Sequence, residues 1–156
     1  MSDYLRAETG IRRLHARYAD AVFRKDYVSF ADCFTEDAQW RLGSYVLRGR
    51  DEAVAFLADK IANSRFVLID FGTPILDVGH GVATGRTPVT EQNVFKDAPA
   101  SHRVATYYER FVEQHGVWRR AYALFQMHYM GKEDYSGSFF TSPDYGPPPA
   151  MPPLEA

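Results

Sequence analysis

The chain has a single cysteine, no apolar stretch of membrane-spanning length and no surplus of either charge. Cys33 alone cannot close an internal disulfide, and beside Phe34 in an apolar helical pattern it reads as a packed thiol rather than a nucleophile. No run is long enough for a spanning helix, and the opening MSDYLRAETG has no signal-peptide core, so the sequence predicts a soluble, cytoplasmic protein. A formal net charge of -2, with no basic stripe interleaved with aromatics, gives no pull toward nucleic acid or anionic membrane. The nucleophile elbow, the H-E-x-x-H helix, the phosphate loop, the dinucleotide fingerprint and paired cysteines are all missing. His15, His80, His102, His115 and His128 do not cluster at ligand spacing, so neither a metal nor another cofactor is expected.

What is present begins with Ile11 to Trp40. Ile11, Leu14, Tyr18, Ala21 and Val22 recur on one helix face, with Arg12, Arg13, Arg17 and Arg24 off it. Asp26 can cap a second helix in which Tyr27, Phe30, Ala31 and Phe34 repeat at the same spacing. Ala38, Trp40 and Leu42 then alternate with polar neighbours as a half-buried strand does. A third helix is expected from Arg50-Asp51 to Asn63-Ser64, burying Val54, Leu57, Ala58 and Ile61.

Beyond it, Phe66 to Val78 and Val82 to Phe95 read as one strand pair, with bulges or edges expected at Pro74 and Pro88. His102 to Val112 and Val117 to Tyr129 read as a second hairpin. Alternation puts Thr87, Val89, Glu91 and Asn93 on one face, matched by Arg103, Ala105, Tyr107 and Glu109, and by Ala121, Ala123, Phe125, Met127 and Tyr129. The opposite face, with Val104, Thr106 and Tyr108, is expected to meet a second subunit in a homodimer or homotrimer. Residues 1–130 are thus expected to form one domain, and 131–156 a tail rich in Gly, Ser and Pro. Phe139, Phe140 and Tyr145 give that tail a means of covering the pocket mouth or a partner.

The order of helix, helix and strand, with F-T-E-D-A before the strand, Arg50-Asp51-Glu52-Ala53 opening the third helix and Gly116-Val117-Trp118 opening the last strand, resembles the SnoaL-like branch of the nuclear transport factor 2-like superfamily. The resemblance spans roughly Ile11 to Tyr129 and is greatest to the scytalone dehydratase-like branch. It implies an α+β fold, a cone-shaped curved mixed, mainly antiparallel sheet wrapped around N-terminal helices, with a pocket inside. The dehydratase and the related dehydrochlorinase type run cofactor-free eliminations with a His base oriented by an Asp. Here the Asp position falls on Phe23 and the His position on or beside Asp70. The dehydratase's second histidine falls near Asn93, its strand Ser and Asn near Ala105 and Tyr107, and one of its tyrosines near Leu42. The dehydrochlorinase's strand Arg falls near Ala123. The fold carries over and the catalytic set does not.

The polar set on inward positions therefore supplies the candidates. Asp70 is expected to move a proton, while Tyr107 with Arg103 stabilises oxygen charge. Tyr18, Phe23, Trp40, Tyr45, Glu91, Asn93, Phe125, Met127 and Tyr129 are expected to bind a small-molecule substrate. A Glu91–Arg103 pair across neighbouring strands would satisfy both charges, which is the competing structural role for these two. Together these point to a cofactor-independent lyase acting on a small hydroxylated or aromatic metabolite, by dehydration or by C–C cleavage through a quinone methide. A non-catalytic binding module, or a structural small subunit like that of ring-hydroxylating dioxygenases, is the alternative.

Overall fold

A computed structural model of the protein describes residues 2–140. Helix α1 runs Asp3–Arg24, earlier than the Ile11 start expected, because the apolar face extends back to Ala7 and the Ser2 hydroxyl caps the helix by accepting from the Leu5 N–H at 3.3 Å. Lys25 then turns left-handed with φ 55°, and the Asp26 carboxylate accepts from the Ser29 N–H at 3.0 Å to start α2, Tyr27–Asp32. Cys33 is buried behind it, its thiol donating to the Ser29 carbonyl, and burial pushes that thiol up to about 11. Helix α3 spans Arg50–Ile61 and buries Ala53, Leu57 and Ile61.

Among the described residues seven strands make one sheet: β1 Phe34–Leu42, β2 Tyr45–Arg48, β3 Ser64–Phe71, β4 Ile75–Val78, β5 Val82–Phe95, β6 Ser101–Gln114 and β7 Val117–Lys132. The order is β2-β1-β7-β6-β5-β3, with β4 also on β5; β1 and β7 are parallel and every other pair is antiparallel. This is the expected α+β architecture, an unclosed mixed sheet around the N-terminal helices. No helix among the described residues is long and apolar enough to cross a membrane.

The stretch read as one strand from Phe66 to Val78 is two, broken at Gly72-Thr73-Pro74. Gly72 is needed there: a Cβ on it would lie 2.8 Å from the Pro88 ring, and its N–H donates to the Pro88 carbonyl at 2.8 Å. Of the bulge or edge expected at Pro88, the structure has the edge: the β5–β6 ladder runs straight through Pro88 opposite Thr106, and the missing N–H falls on the other side, where β3 has ended and β4 has not begun.

Two register shifts between β6 and β7 decide which side chains face inward. Arg110 pairs with Tyr122 but Phe111 pairs with Arg120, so Ala121 is the extra residue and Arg120 turns to the buried side. Val104 pairs with Tyr129 but Ala105 pairs with Met127, so His128 is extra and Tyr129 turns outward. Beyond β7, Tyr135 and Phe139 lie near the Phe66 ring, and the Tyr135 hydroxyl donates to Gln92 at 2.8 Å. Tyr145 lies outside the described residues.

Candidate functional site

A cavity of about 660 Å³ opens between α1, α3 and the concave side of the sheet. Its walls are apolar where Trp40, Phe56, Leu57, Val67, Ile69 and Phe125 meet. Tyr45 stands half exposed at the rim, with the Lys60 ammonium 5.4 Å from both its ring and that of Phe56. Polar chemistry enters from β5 and β6. The Glu91 carboxylate, on a residue only 8% exposed, receives a hydrogen bond from Arg103 Nη1 at 3.4 Å, across the register that pairs the two residues. Among the described residues Glu91 is the sole carboxylate in the lining. Burial raises its pKa, against the pull of Arg103.

Two buried donors in the same lining lack acceptors among the described residues: the Trp40 indole N–H and the Asn93 side-chain amide. An orphaned buried donor costs about 1–3 kcal/mol, and a bound oxygen would recover that cost. The cavity can therefore hold a flat apolar body, present donors to its oxygens and place one proton-exchanging carboxylate against it.

Of the residues expected here, Tyr18, Trp40, Tyr45, Glu91, Asn93, Arg103, Phe125 and Met127 line the cavity. Four do not. Asp70, expected to move the proton, lies outside it: β3 alternates, Val67 and Ile69 face the cavity, and the exposed Asp70 lines a separate cleft beside α1. Phe23 instead packs its ring 5.8 Å from that of Phe66. Tyr129 is turned outward by the bulge at His128 and is 56% exposed. Tyr107 faces inward as expected but sits beneath the lining, its hydroxyl 3.4 Å from that of Tyr18. Burial raises both phenols, Tyr18 to about 12, so each is a neutral hydrogen-bond donor at ordinary pH.

Behind these tyrosines lies a charged cluster the sequence reading did not assemble. Glu109, fully desolvated, meets Arg120 Nε at 2.6 Å, His15 Nε2 at 3.0 Å and the Thr87 hydroxyl at 3.2 Å. The Arg120 guanidinium stacks over the rings of Tyr18 at 4.1 Å and Tyr107 at 4.6 Å. Burial works to raise Glu109, but Arg120 and His15 outweigh it and hold the carboxyl below its usual range. Two of the three were legible. His15 falls on the buried face of α1, and Glu109 shares the inward phase with Tyr107, so an inward carboxylate was already in search of a partner. Arg120 was hidden, because strict alternation puts it outside and only the bulge brings it in.

Residues 3–122 match the model of the SnoaL-like domain. Among curated proteins, none matches the chain. Among solved structures, a protein assigned as a scytalone dehydratase from Novosphingobium aromaticivorans superposes with a TM-score of 0.78 at 17% identity, over 85% of this chain and 91% of that one. A hexachlorocyclohexane dehydrochlorinase of type 2 does so with 0.76 at 17% identity, over 90% and 97%. A protein of unknown function from Mycobacterium tuberculosis gives 0.70 at 26% identity, over 80% and 71%. With the family model covering most of its length and the helices and sheet matching in space, the chain belongs to the SnoaL-like domain family.

Proposed function

We propose that the protein is a cofactor-independent lyase that eliminates water, or a comparable leaving group, from a small hydroxylated aromatic metabolite. The observation that carries this reading is Glu91: a nearly buried carboxylate with a raised pKa, balanced by a single Arg103 contact, in the wall of an otherwise apolar cavity. Such a group can take a proton from carbon and return it to a departing hydroxyl. Arg103 holds the carboxylate in place and offers charge to a developing oxyanion, while Tyr18, backed by Tyr107, and Trp40 offer neutral donors. A phenolic substrate that loses water to a quinone methide, with or without breaking the adjacent C–C bond, needs the same groups. The names of the dehydratase and the dehydrochlorinase both denote eliminations, which supports the reaction class.

Asp70 and Tyr107, first expected to be catalytic, pass their roles to Glu91 and Tyr18, the carboxylate and phenol in the cavity wall. The exposed Tyr108, with Val104 and Thr106, gives the outer face of the sheet a surface suited to a homodimer or homotrimer, which light scattering would report. The test of function is turnover of a panel of hydroxylated aromatics by purified protein without added cofactor. Conversion with release of water supports the lyase. One observation favours a second reading, a binding module: no histidine lines the cavity among the described residues. Saturable binding of panel members without turnover would establish that reading instead.

A further inference from the structure

Past β7 the chain turns back across the outer face of the sheet, and its fastenings follow the order of the strands. The Glu133 N–H donates to the Ala100 carbonyl at 3.1 Å, and the Glu133 carboxylate lies 3.6 Å from His102 Nδ1 on β6. The Tyr135 hydroxyl donates to Gln92 on β5 at 2.8 Å. The Phe139 ring lies 6.5 Å from that of Phe66 on β3, takes the Arg65 guanidinium at 4.9 Å, and stacks on Tyr135 at 5.9 Å and 26°. Residues 133–139 thus cross β6, β5 and β3 in turn, and none of them lines the cavity. Val94, which pairs with Phe66 and shares the outer face with Gln92, is 3% exposed although it lies outside the main core. A residue on that face is buried only by what lies across the sheet.

Each anchor stands back to back with the polar wall of the Glu91 cavity. Side chains alternate along a strand, so His102 is the outward neighbour of Arg103, Gln92 stands between Glu91 and Asn93, and Phe66 precedes Val67. Arg103, Glu91, Asn93 and Val67 all line the cavity. Gln92 and His102 are register partners, as Glu91 and Arg103 are, so a grip on the first pair also fixes the spacing of the second. We propose that Tyr135, with Phe139 stacked on it, is a positioning residue of that cavity: from the outer face it clamps β6, β5 and β3 together and so holds the Glu91 carboxylate against Arg103. The pair needs such support, because its one hydrogen bond is long at 3.4 Å and Arg103 Nε has no acceptor among the described residues. The outermost strand, β3, pairs with β5 alone and gains most from a tie that reaches β6. The consequence for turnover rests on the lyase reading above; the mechanical tie does not.

The experiment compares the full-length protein with Tyr135→Phe, Gln92→Leu and the two combined. Nitrogen-15 NMR follows the exchange with water of three shielded side-chain N–H groups: Arg103 Nε, the Asn93 amide and the Trp40 indole. The first two belong to strands under the clamp, and Trp40, on β1 beyond its reach, is the internal control. Arg103 and Asn93 are expected to exchange about tenfold faster in each single variant and no faster in the double, while Trp40 keeps the parent rate. Gln92→Glu, which keeps an acceptor for the Tyr135 hydroxyl, should hold the parent rates. With a substrate from the panel, Tyr135→Phe should lower kcat per folded molecule about tenfold and leave KM within about twofold. Unchanged exchange at Arg103 and Asn93, an equal rise at Trp40, or additive effects in the double variant would each overturn the clamp. Exchange is read without substrate, so it decides the clamp even where Glu91→Gln turns over normally and the lyase reading fails. Faster exchange with unaltered kcat, in an enzyme that Glu91→Gln disables, would overturn the positioning role and leave the lyase reading intact.

Discussion

Glu91 and Glu109 are the same residue type, both nearly buried, both on the inward face of the long central strands, and they do opposite things. Glu91 has one guanidinium at 3.4 Å and a raised pKa; Glu109 has a guanidinium at 2.6 Å, an imidazole at 3.0 Å, a hydroxyl at 3.2 Å and a lowered one. Burial is nearly equal, so the number and closeness of partners decides. Few partners leave a carboxylate able to exchange a proton, and many lock it as a fixed charge. The first belongs to the cavity and the second to the scaffold behind it.

The largest effect that would sharpen this contrast is on stability. Glu109→Gln leaves the Arg120 cation buried without its counter-charge and is expected to cost about 3–5 kcal/mol in urea unfolding, as is Arg120→Leu. Combining the two removes both charges, so the double variant should lose clearly less than the sum. Additive losses would break the pairing assigned here.

The pH dependence of stability should separate the two glutamates by sign. Glu109, lowered in the folded state, contributes stability present above the ordinary carboxylate range and lost as pH falls through that range toward its depressed value. Glu91, raised, contributes in the other direction: its share is present at low pH and is lost as pH rises from the ordinary value through the raised one. Unfolding measured across the acid range should therefore lose part of its steepness in Glu109→Gln, while Glu91→Gln should gain stability near neutral pH relative to the parent. Identical profiles for the two variants would contradict the comparison.

A smaller effect tests the donors of the cavity. Trp40→Phe keeps an aromatic wall and removes the indole N–H, so phenols or ketones that the cavity binds should lose about tenfold in affinity. Their hydrocarbon counterparts should lose far less, and equal losses for both would show that only packing was altered.

Much of this was legible in the chain. The caps at Asp26 and the apolar phase of α1 follow from local chemistry, and the pairing of Glu91 with Arg103 followed from alternation on two adjacent strands. The misplacements have a physical source. A bulge inverts the facing of everything beyond it, and nothing local in Arg120-Ala121 or His128-Tyr129 announces one. Asp70 went astray differently: its place was taken from the resemblance, whereas the period of β3, with Val67 and Ile69 apolar, already set it on the other face.

The most direct test measures turnover and melting temperature together for Glu91→Gln and Glu109→Gln, with a hydroxylated aromatic substrate found in the panel. Glu91→Gln should lose about a hundredfold or more in kcat and hold its melting temperature at or above the parent value, because an acid-base group has gone and the fold has not. Glu109→Gln should melt several degrees lower, with turnover per folded molecule reduced far less. Near-normal turnover in Glu91→Gln, or a loss no greater than its loss of folded protein, would contradict the account.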